Sequence, residues 1–166
     1  FKSGHLYLNG WNALVDDSIT GYSSKGFVVT GEGIGGGSLY RRSPGDSLLV
    51  FPIGTGAASY SPIAIRSPEG FNSFAGARVF DHVLQKGMTG TPEDSDVVMK
   101  TFQLTSAQLK PRTTVLIQHQ ESDEGVRFAP YRDSSYISQF YHDYWDMDTL
   151  PHGVTRPGTL TTGKSG

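Results

Sequence analysis

Short runs of apolar or alternating residues recur along the chain, and Gly, Pro, Ser or Asp separates each run from the next. Alternation of apolar and polar residues over four to eight positions is typical of a strand with one buried face. The clearest runs are 96–104 and 113–120, and in the second Val115, Ile117 and His119 share one face. These two segments are predicted to be strands.

Weaker runs extend the same pattern to most of the chain. With the two clear runs they make about eight or nine strands, spaced roughly 8–15 residues apart, which leaves little room for the long helices of parallel crossovers. The pattern therefore predicts an all-β fold, an antiparallel β-sandwich or jelly roll of about eight or nine strands. The weaker runs are 5–8, 26–30, 38–42, 47–53, 62–65, 77–84 and 125–129.

One segment departs from the strand pattern. Its apolar residues recur at i, i+1, i+4, i+5, i+8 and i+9, which is the stripe of an amphipathic helix. Three good N-cap residues, 133–135, stand just before it. Residues 136–145 are therefore predicted to form one short helix near the C-terminus. The apolar positions are Tyr136, Ile137, Phe140, Tyr141, Tyr144 and Trp145.

The length of 166 residues predicts one domain with its own core. We expect a single β domain over 1–150. The tail 151–166 is rich in Thr, Gly and Pro, and it is predicted to be an extended C-terminal arm or linker. Because the chain begins with Phe1 and not Met, we expect it to be processed or cut from a longer polypeptide.

Composition and charge narrow the function classes. About a third of the residues are Gly, Ser or Thr, which favours strands joined by many turns. Lys and Arg number 14 against 16 Asp and Glu, so the basic footprint of a nucleic-acid-binding protein is absent. The sequence contains no run of 18 apolar residues, so no transmembrane helix is predicted. Without cysteine there can be no disulfide, thiolate metal site or cysteine nucleophile, and we expect no cofactor.

Two phosphate-binding patterns occur literally but lack the structural context that gives them meaning. Residues 158–165 match G-x-x-x-x-G-K-S, yet a single residue follows them in this sequence, so we expect no helix whose amides could face a phosphate. Residues 31–36 match G-x-G-x-x-G, but a strand and a turn follow where a helix is required. We expect the glycine-rich segment 30–37 to be a mobile loop tip or a place of close backbone approach.

No catalytic or metal constellation stands out. Asp143, Asp146 and Asp148 could supply oxygen ligands to a hard cation, but a solvated acidic segment is the more ordinary interpretation. His119, with the nearby Glu121, could act as a general base, although a histidine facing solvent at a strand end is expected. The G-x-S-x-G nucleophile elbow is absent.

Aromatic residues concentrate in one segment, 128–145, where Asp and His alternate with them. Tyr and Trp combine an apolar face with a polar tip, which suits partner contacts and the stacking of sugars. The alternative is that this stripe is the buried face of the predicted helix. The candidate ligand or partner residues here are Tyr141, His142, Asp143, Tyr144, Trp145 and Asp146.

A second candidate surface follows the glycine-rich loop. Tyr40 and Arg42 lie at its exit, and loops and strand ends of a β scaffold often carry binding residues. Arg41 and Arg42 are adjacent on a predicted strand, so they must point to opposite faces. Only Arg42 is therefore kept as a candidate.

These features lead to one main functional hypothesis and two alternatives. The main hypothesis is a non-enzymatic surface domain of the virion or fibre protrusion type, for host receptor attachment, capsid assembly or both. This hypothesis places the domain on a virion surface or outside the cell. Its partners are a glycan or protein receptor and further copies of itself, as a dimer or trimer. The alternatives are a carbohydrate-binding module of a secreted or cell-surface protein and a hydrolase with a carboxylate or His–Asp site.

Overall fold

A computed structural model describes residues 1–16, 18–42, 45–67, 74–106, 113–146 and 157–162. These residues are rich in strand and contain two short 3₁₀ helices, Glu121–Asp123 and Ala129–Ser134, but no α-helix. The all-β prediction is confirmed at this level. The described strands are β1 (Leu6–Tyr7), β2 (Ala13–Val15), β3 (Val28–Val29), β4 (Leu39–Arg42), β5 (Leu49–Phe51), β6 (Ile53–Gly54), β7 (Ile63–Arg66), β8 (Phe74–Asp81), β9 (Lys100–Ser106), β10 (Thr114–Ile117), β11 (Phe140–Tyr141), β12 (Tyr144–Trp145) and β13 (Thr161–Thr162).

Two four-stranded sheets carry most of the strand pairing. One has the order β2-β4-β8-β9, and the other has the order β13-β10-β7-β5. The longest pairing is antiparallel, between β8 and β9, and runs from Ala75 opposite Ser106 to Asp81 opposite Lys100. This register places the last residues of β8 and the first of β9 side by side, where a polar cluster forms.

Parallel pairing corrects the prediction of a purely antiparallel fold. A third sheet has the order β1-β3-β6, and both of its pairings are parallel. In addition, β2 pairs with β4 in parallel. Parallel neighbours usually need a helical crossover. Here the chain returns through other strands and loops, so the absence of long helices did not exclude parallel pairs.

One hydrophobic core unites the three larger sheets. It includes Val28 of β3, Leu39 of β4, Phe51 of β5, Ile65 of β7 and Val79 of β8, all fully buried. These residues alternate with exposed or half-buried neighbours in β4 and β5, as the sequence pattern predicts.

Several strand boundaries differ from the prediction; the run 96–104, for example, is a strand only from Lys100, where β9 begins. The run 47–53 is divided at Pro52, which has no N–H for a ladder hydrogen bond, into β5 and β6. The run 125–129 is not a strand but a turn that leads into the second 3₁₀ helix. β2 was missed, and the described residues form thirteen strands, most of them very short.

The helix predicted for 136–145 is wrong, since β11 and β12 form an antiparallel hairpin there. Its two loop residues, His142 and Asp143, have φ of 48° and 68°, the left-handed values of a tight two-residue hairpin turn. In such a hairpin, residues i and i+5 face each other, and Phe140 is opposite Trp145. Aromatic residues at this spacing therefore satisfy both a helix stripe and a two-residue hairpin.

The glycine-rich loop at 30–37 is a place of close backbone approach, one of its two predicted roles. A Cβ on Gly36 would lie 2.0 Å from the carbonyl oxygen of Thr30. The buried guanidinium of Arg78 donates hydrogen bonds to the carbonyls of Gly33 and Ile34. Desolvation by burial lowers the pKa of Arg78.

Most of the predicted arm, 151–156 and 163–166, lies outside the described residues. The described part, 157–162, contributes β13, which pairs antiparallel with β10 through Thr161 opposite Ile117. The division of the chain into a domain over 1–150 and an arm stays a prediction.

Candidate functional site

The hairpin of β11 and β12 is anchored to the domain by two aromatic rings. Trp145 donates a hydrogen bond from Nε1 to the carbonyl of Leu84, at 2.8 Å. Phe140 packs edge-on against Trp145, with ring centroids 5.4 Å apart. Phe140 also covers Gly87, where a Cβ would lie 2.6 Å from the ring. These contacts hold the base of the hairpin against the loop that follows β8.

Asp146 closes the base of the hairpin. Its carboxylate accepts a hydrogen bond from the backbone N–H of Gln139 and lies 3.0 Å from the hydroxyl of Ser138. Its own N–H donates to the carbonyl of Gln139 at 2.9 Å. Asp146 therefore stabilises the hairpin.

The other end of the hairpin projects into solvent. Tyr141 and Tyr144 are cross-strand partners, and each of these two residues is 59% exposed. His142 and Asp143 form the exposed turn between them, and the His142 ring lies edge-on to Tyr141 at a centroid distance of 4.0 Å. We call Tyr141, His142, Asp143 and Tyr144 the hairpin tip. The structure thus brings four of the six residues predicted in this segment together on one exposed feature.

Tyr40 and Arg42 lie elsewhere, on β4. Arg42 donates from Nε to Asp16 on the protein surface. Tyr40 covers Gly76 on the neighbouring strand, where a Cβ would lie 2.6 Å from the ring. Arg41 points inward and donates to the carbonyl of Val50, so the predicted opposition of Arg41 and Arg42 is confirmed. Both candidates are engaged within their own surroundings and not with the hairpin tip.

His119 is buried, and the prediction that it faces solvent is wrong. Only 1% of its surface is exposed. Its Nε2 lies 2.9 Å from Oε1 of Glu124, and the ring of Phe128 packs edge-on against it at 6.0 Å. The first 3₁₀ helix, Glu121–Asp123, separates the two residues in sequence, and this turn brings Glu124 back to the imidazole.

An ion network surrounds Glu124. Arg132 donates to both of its carboxylate oxygens, from Nε at 2.8 Å and from Nη2 at 2.5 Å, and Nη2 also reaches Glu121 at 3.0 Å. Burial by itself would raise the pKa of Glu124, but the hydrogen bonds and charges of Arg132 and His119 outweigh it and lower that pKa. The hydrogen bonds that Arg132 donates to Glu124 and Glu121 raise the pKa of Arg132. Glu121, which the sequence suggested as a partner of His119 in general-base catalysis, thus pairs with Arg132. The charged groups of the network have one another as partners.

A second polar cluster lies where β8 and β9 meet. Lys100 donates from Nζ to Asp81, its cross-strand partner, and to the hydroxyl of Thr55 at 3.1 Å. Oδ1 of Asp123 lies 3.4 Å from the same ammonium. The Lys100 side chain is almost fully buried. Because a buried charge needs partners, this cluster serves first as a structural ion pair network.

An exposed His–Asp pair is the nearest approach to the hydrolase alternative. Nδ1 of His82 lies 3.1 Å from Oδ1 of Asp94, and His82 has a left-handed backbone with φ of 73°. Thr101 uses its hydroxyl to donate to the carbonyl of His82 at 2.7 Å, so this hydroxyl bonds the main chain and not the imidazole. Among the described residues, no hydrogen bond joins this pair to a nucleophile.

One surface was missed by the sequence analysis. Leu6, Tyr7, Trp11 and Leu14 are exposed on or beside β1 and β2, and Trp11 is 80% exposed. We call these four residues the N-terminal edge, because β1 and β2 are both the outer strands of their sheets. The strand β2 consists of Ala, Leu and Val only, so no polar alternation showed which face points outward.

No protein-family model matches this chain, and comparisons with curated proteins and with solved structures found no match. Within the described ranges, no three side chains of His, Asp or Glu are grouped so that they could hold a metal ion. The part of the chain that the structure describes also contains no helix long and apolar enough to cross a membrane.

Proposed function

We propose that this protein is a non-enzymatic surface domain of the virion or fibre protrusion type, which attaches to a host receptor through the hairpin tip. The observation that carries the proposal is the exposed pair of Tyr141 and Tyr144 at the end of a firmly anchored hairpin. Tyrosine rings are enriched at binding surfaces, because each adds a large apolar area and a polar group at small entropic cost.

Pre-organisation supports the same proposal. Trp145, Phe140 and Asp146 fix the hairpin from below, and the left-handed turn residues fix its end. A rigid loop loses little conformational freedom when it binds, so more of the contact energy appears as affinity. The receptor is a glycan or a protein, and the domain acts on a virion surface or outside the cell.

A sandwich or jelly-roll arrangement belongs to this proposal. Its support is the single core that strands of both four-stranded sheets share, since two packed sheets bury their inner faces against each other. Loops and hairpins at the rim of such a scaffold are the usual carriers of binding residues.

Receptor attachment can be tested by the binding of fluorescently labelled protein to a panel of cultured cell lines. The variant Tyr141→Ser/Tyr144→Ser removes both rings of the tip, and Tyr131→Ser is the matched control because Tyr131 is 61% exposed on another segment. We expect the control to bind as the wild type does and the double variant to lose binding at least tenfold, with unchanged melting temperature. Equal binding by the double variant would overturn the proposal.

Treatment of the same cells with glycosidases or with proteases identifies the receptor class. Loss of binding after glycosidase treatment indicates a glycan receptor. Loss after protease treatment alone indicates a protein receptor. Both results need the tip variant as a comparison, because only binding that depends on Tyr141 and Tyr144 bears on this site.

A second candidate function, assembly with further copies of this chain, is favoured by the N-terminal edge. An unpaired strand edge with exposed apolar side chains is a template for pairing with another strand. Sedimentation equilibrium should then give a dimer or trimer that dissociates in Trp11→Ser/Leu14→Ser. The control is Val126→Ser, at a residue 91% exposed outside this edge. A wild-type monomer at high protein concentration would exclude this function.

A further inference from the structure

A groove of about 670 Å³ lies on the surface of the domain away from the hairpin tip. It is bounded by the loop before β3, the segment after β6, the end of β10 and the described residues after 156. Its volume is within the range of pockets that bind small ligands. The lining residues that bear on its chemistry are Tyr22, Tyr60, Gln118, Gln120, Glu121 and Gly158.

The walls of the groove are fixed by main-chain hydrogen bonds. The N–H of Gln118 donates to the carbonyl of Pro62 at 3.0 Å, which continues the pairing of β10 with β7. The N–H of Gly158 donates to the carbonyl of His119 at 2.8 Å. The site is therefore largely formed before any ligand binds.

Two tyrosines provide the aromatic surface. Tyr60 is half-buried and packs against Phe27, with ring centroids 5.1 Å apart. Burial, and then the neighbouring phenol of Tyr22, raises the pKa of Tyr60 to about 12. Its hydroxyl therefore stays protonated at physiological pH and can donate a hydrogen bond as well as accept one. Within the described part of the chain, neither phenol hydroxyl has a hydrogen-bond partner.

Two side-chain amides lie beside the rings. Gln120 donates from Nε2 to the carbonyl of Ala58 at 3.0 Å, which fixes the orientation of its amide. The side-chain amide of Gln118 is half-buried and has no hydrogen-bond partner among the described residues. It can therefore offer two N–H donors and a carbonyl acceptor to a ligand in the groove.

The charge of the groove selects against anions. Glu121 contributes a carboxylate, and its Arg132 partner is shared with Glu124. Among the described residues that line the groove there is no Lys or Arg. A ligand with its own carboxylate or phosphate would meet the carboxylate of Glu121 and no lining cation among the described residues, whereas a neutral ligand would avoid this repulsion.

We propose that this groove binds a short neutral saccharide. The C–H face of a sugar ring packs on the aromatic rings of Tyr22 and Tyr60, and its hydroxyls exchange hydrogen bonds with the phenols and with the amide of Gln118. The combination of aromatic rings and a carboxylate that the sequence analysis located at the hairpin tip recurs here, at residues far apart in the chain. This site does not depend on the hairpin tip and does not require that the tip bind a receptor.

The test uses the intact chain and a fixed panel of sugars: lactose, N-acetyllactosamine, maltotriose, cellotriose and sialyllactose. Saturation-transfer NMR at millimolar sugar should show contact with at least one neutral member, and titration calorimetry should then give its affinity. The variants Gln118→Ala and Tyr22→Phe each remove polar groups and keep the backbone hydrogen bonds. We expect each to weaken binding by about fivefold to tenfold, because a lost hydrogen bond has an effect of that size.

The control variant is Tyr131→Ser, at an exposed residue that belongs neither to the described lining of the groove nor to the hairpin tip, and it should bind the sugar as the wild type does. The variant Tyr141→Ser/Tyr144→Ser separates the two proposals, since sugar binding that persists in it occurs in the groove and not at the hairpin tip. Three results would overturn the groove proposal: no neutral sugar binds, sialyllactose binds best, or Gln118→Ala and Tyr22→Phe both bind with wild-type affinity. Melting curves of both variants must match the wild type for their lost binding to count.

Discussion

Trp145 reaches across 61 positions of sequence to donate its indole N–H to the carbonyl oxygen of Leu84, at 2.8 Å. This single bond connects the hairpin of β11 and β12 to the loop that follows β8. It also assigns Trp145 a role different from that of its neighbour Tyr144, whose ring stays exposed. One residue of the pair holds the hairpin in place, and the other is presented to solvent.

Two substitutions of Trp145 should separate packing from hydrogen bonding. Trp145→Phe keeps an aromatic ring against Phe140 but leaves the Leu84 carbonyl without its donor, and it should lower the free energy of unfolding by about 1 kcal/mol. Trp145→Ala also removes the ring and should cost about 2–3 kcal/mol, less than a fully buried tryptophan because this one is half-buried. Urea unfolding gives both values. Tyr144→Ala serves as the control and should change the free energy of unfolding by less than about 0.5 kcal/mol.

The Glu124 network predicts acid sensitivity. The pKa of Glu124 lies below its ordinary value of 4.5 in the folded protein, so this carboxylate stabilises the fold above that pH. The stabilisation should be lost as pH falls from about 4.5 through the folded pKa, because the unfolded chain takes up the proton first. Urea unfolding at pH 7, 5, 4 and 3 measures the loss.

The variant Glu124→Gln isolates the contribution of this carboxylate. It should be less stable than the wild type at pH 7, because Arg132 loses its bidentate partner. Its stability should also change less between pH 5 and 3. Asp96→Asn is the control, since Asp96 pairs with Arg127 at the exposed surface. The interpretation is wrong if Glu124→Gln and the wild type lose stability in parallel as the pH falls.

Tyr60 should titrate later than an ordinary tyrosine. Its pKa is raised to about 12 from the ordinary value of 10.0, mainly by burial. Absorbance at the phenolate band should show a late component that Tyr60→Phe removes. Because the unfolded chain ionises first, the stabilisation of the neutral phenol is complete below pH 10 and should be lost as pH rises from 10 to 12. A wild-type titration identical to that of Tyr60→Phe would contradict this burial effect.

Replacing Lys100 alone should lower the free energy of unfolding more than replacing it together with Asp81. Lys100→Met leaves Asp81 and Asp123 without the shared ammonium, and it should lower the free energy of unfolding by about 3 kcal/mol. In Lys100→Met/Asp81→Leu the unpaired carboxylate on β8 is gone, and part of that loss should be recovered. Chemical denaturation of the two variants provides the comparison. If the double variant is less stable than the single one by the full effect of a second defect, the two residues are not coupled.

The sequence indicated where along the chain the candidate site lies, but not which of its side chains are exposed. The order of residues along the chain was enough to group the aromatic residues of 128–145, because they are close in sequence. Which of them are exposed depends on the hairpin turn at His142 and Asp143, and the same spacing fits a helix. The roles of Trp145 and Asp146 as anchors could not be derived, since they depend on contacts with the fold and within the hairpin itself.

Local sequence determined what is local in this protein. Alternation of apolar and polar residues specified the β-rich class and strands such as β4, β7 and β10, because side chains on a strand point to opposite faces at every step. The opposition of Arg41 and Arg42 follows from backbone geometry in the same way, whereas the sequence left two roles open for the glycine-rich loop.

Only the tertiary structure decided which distant residues meet. The groove joins Tyr22, Tyr60 and Gln118, and Lys100 pairs with Asp81 through the register of β8 and β9. The burial of His119 and the exposure of Trp11 were decided in the same way, by which strands become central and which become edges. Periodicity reports which face of a strand is apolar, but strand order and register result from the packing of the whole chain into one core, and no local pattern contains that information.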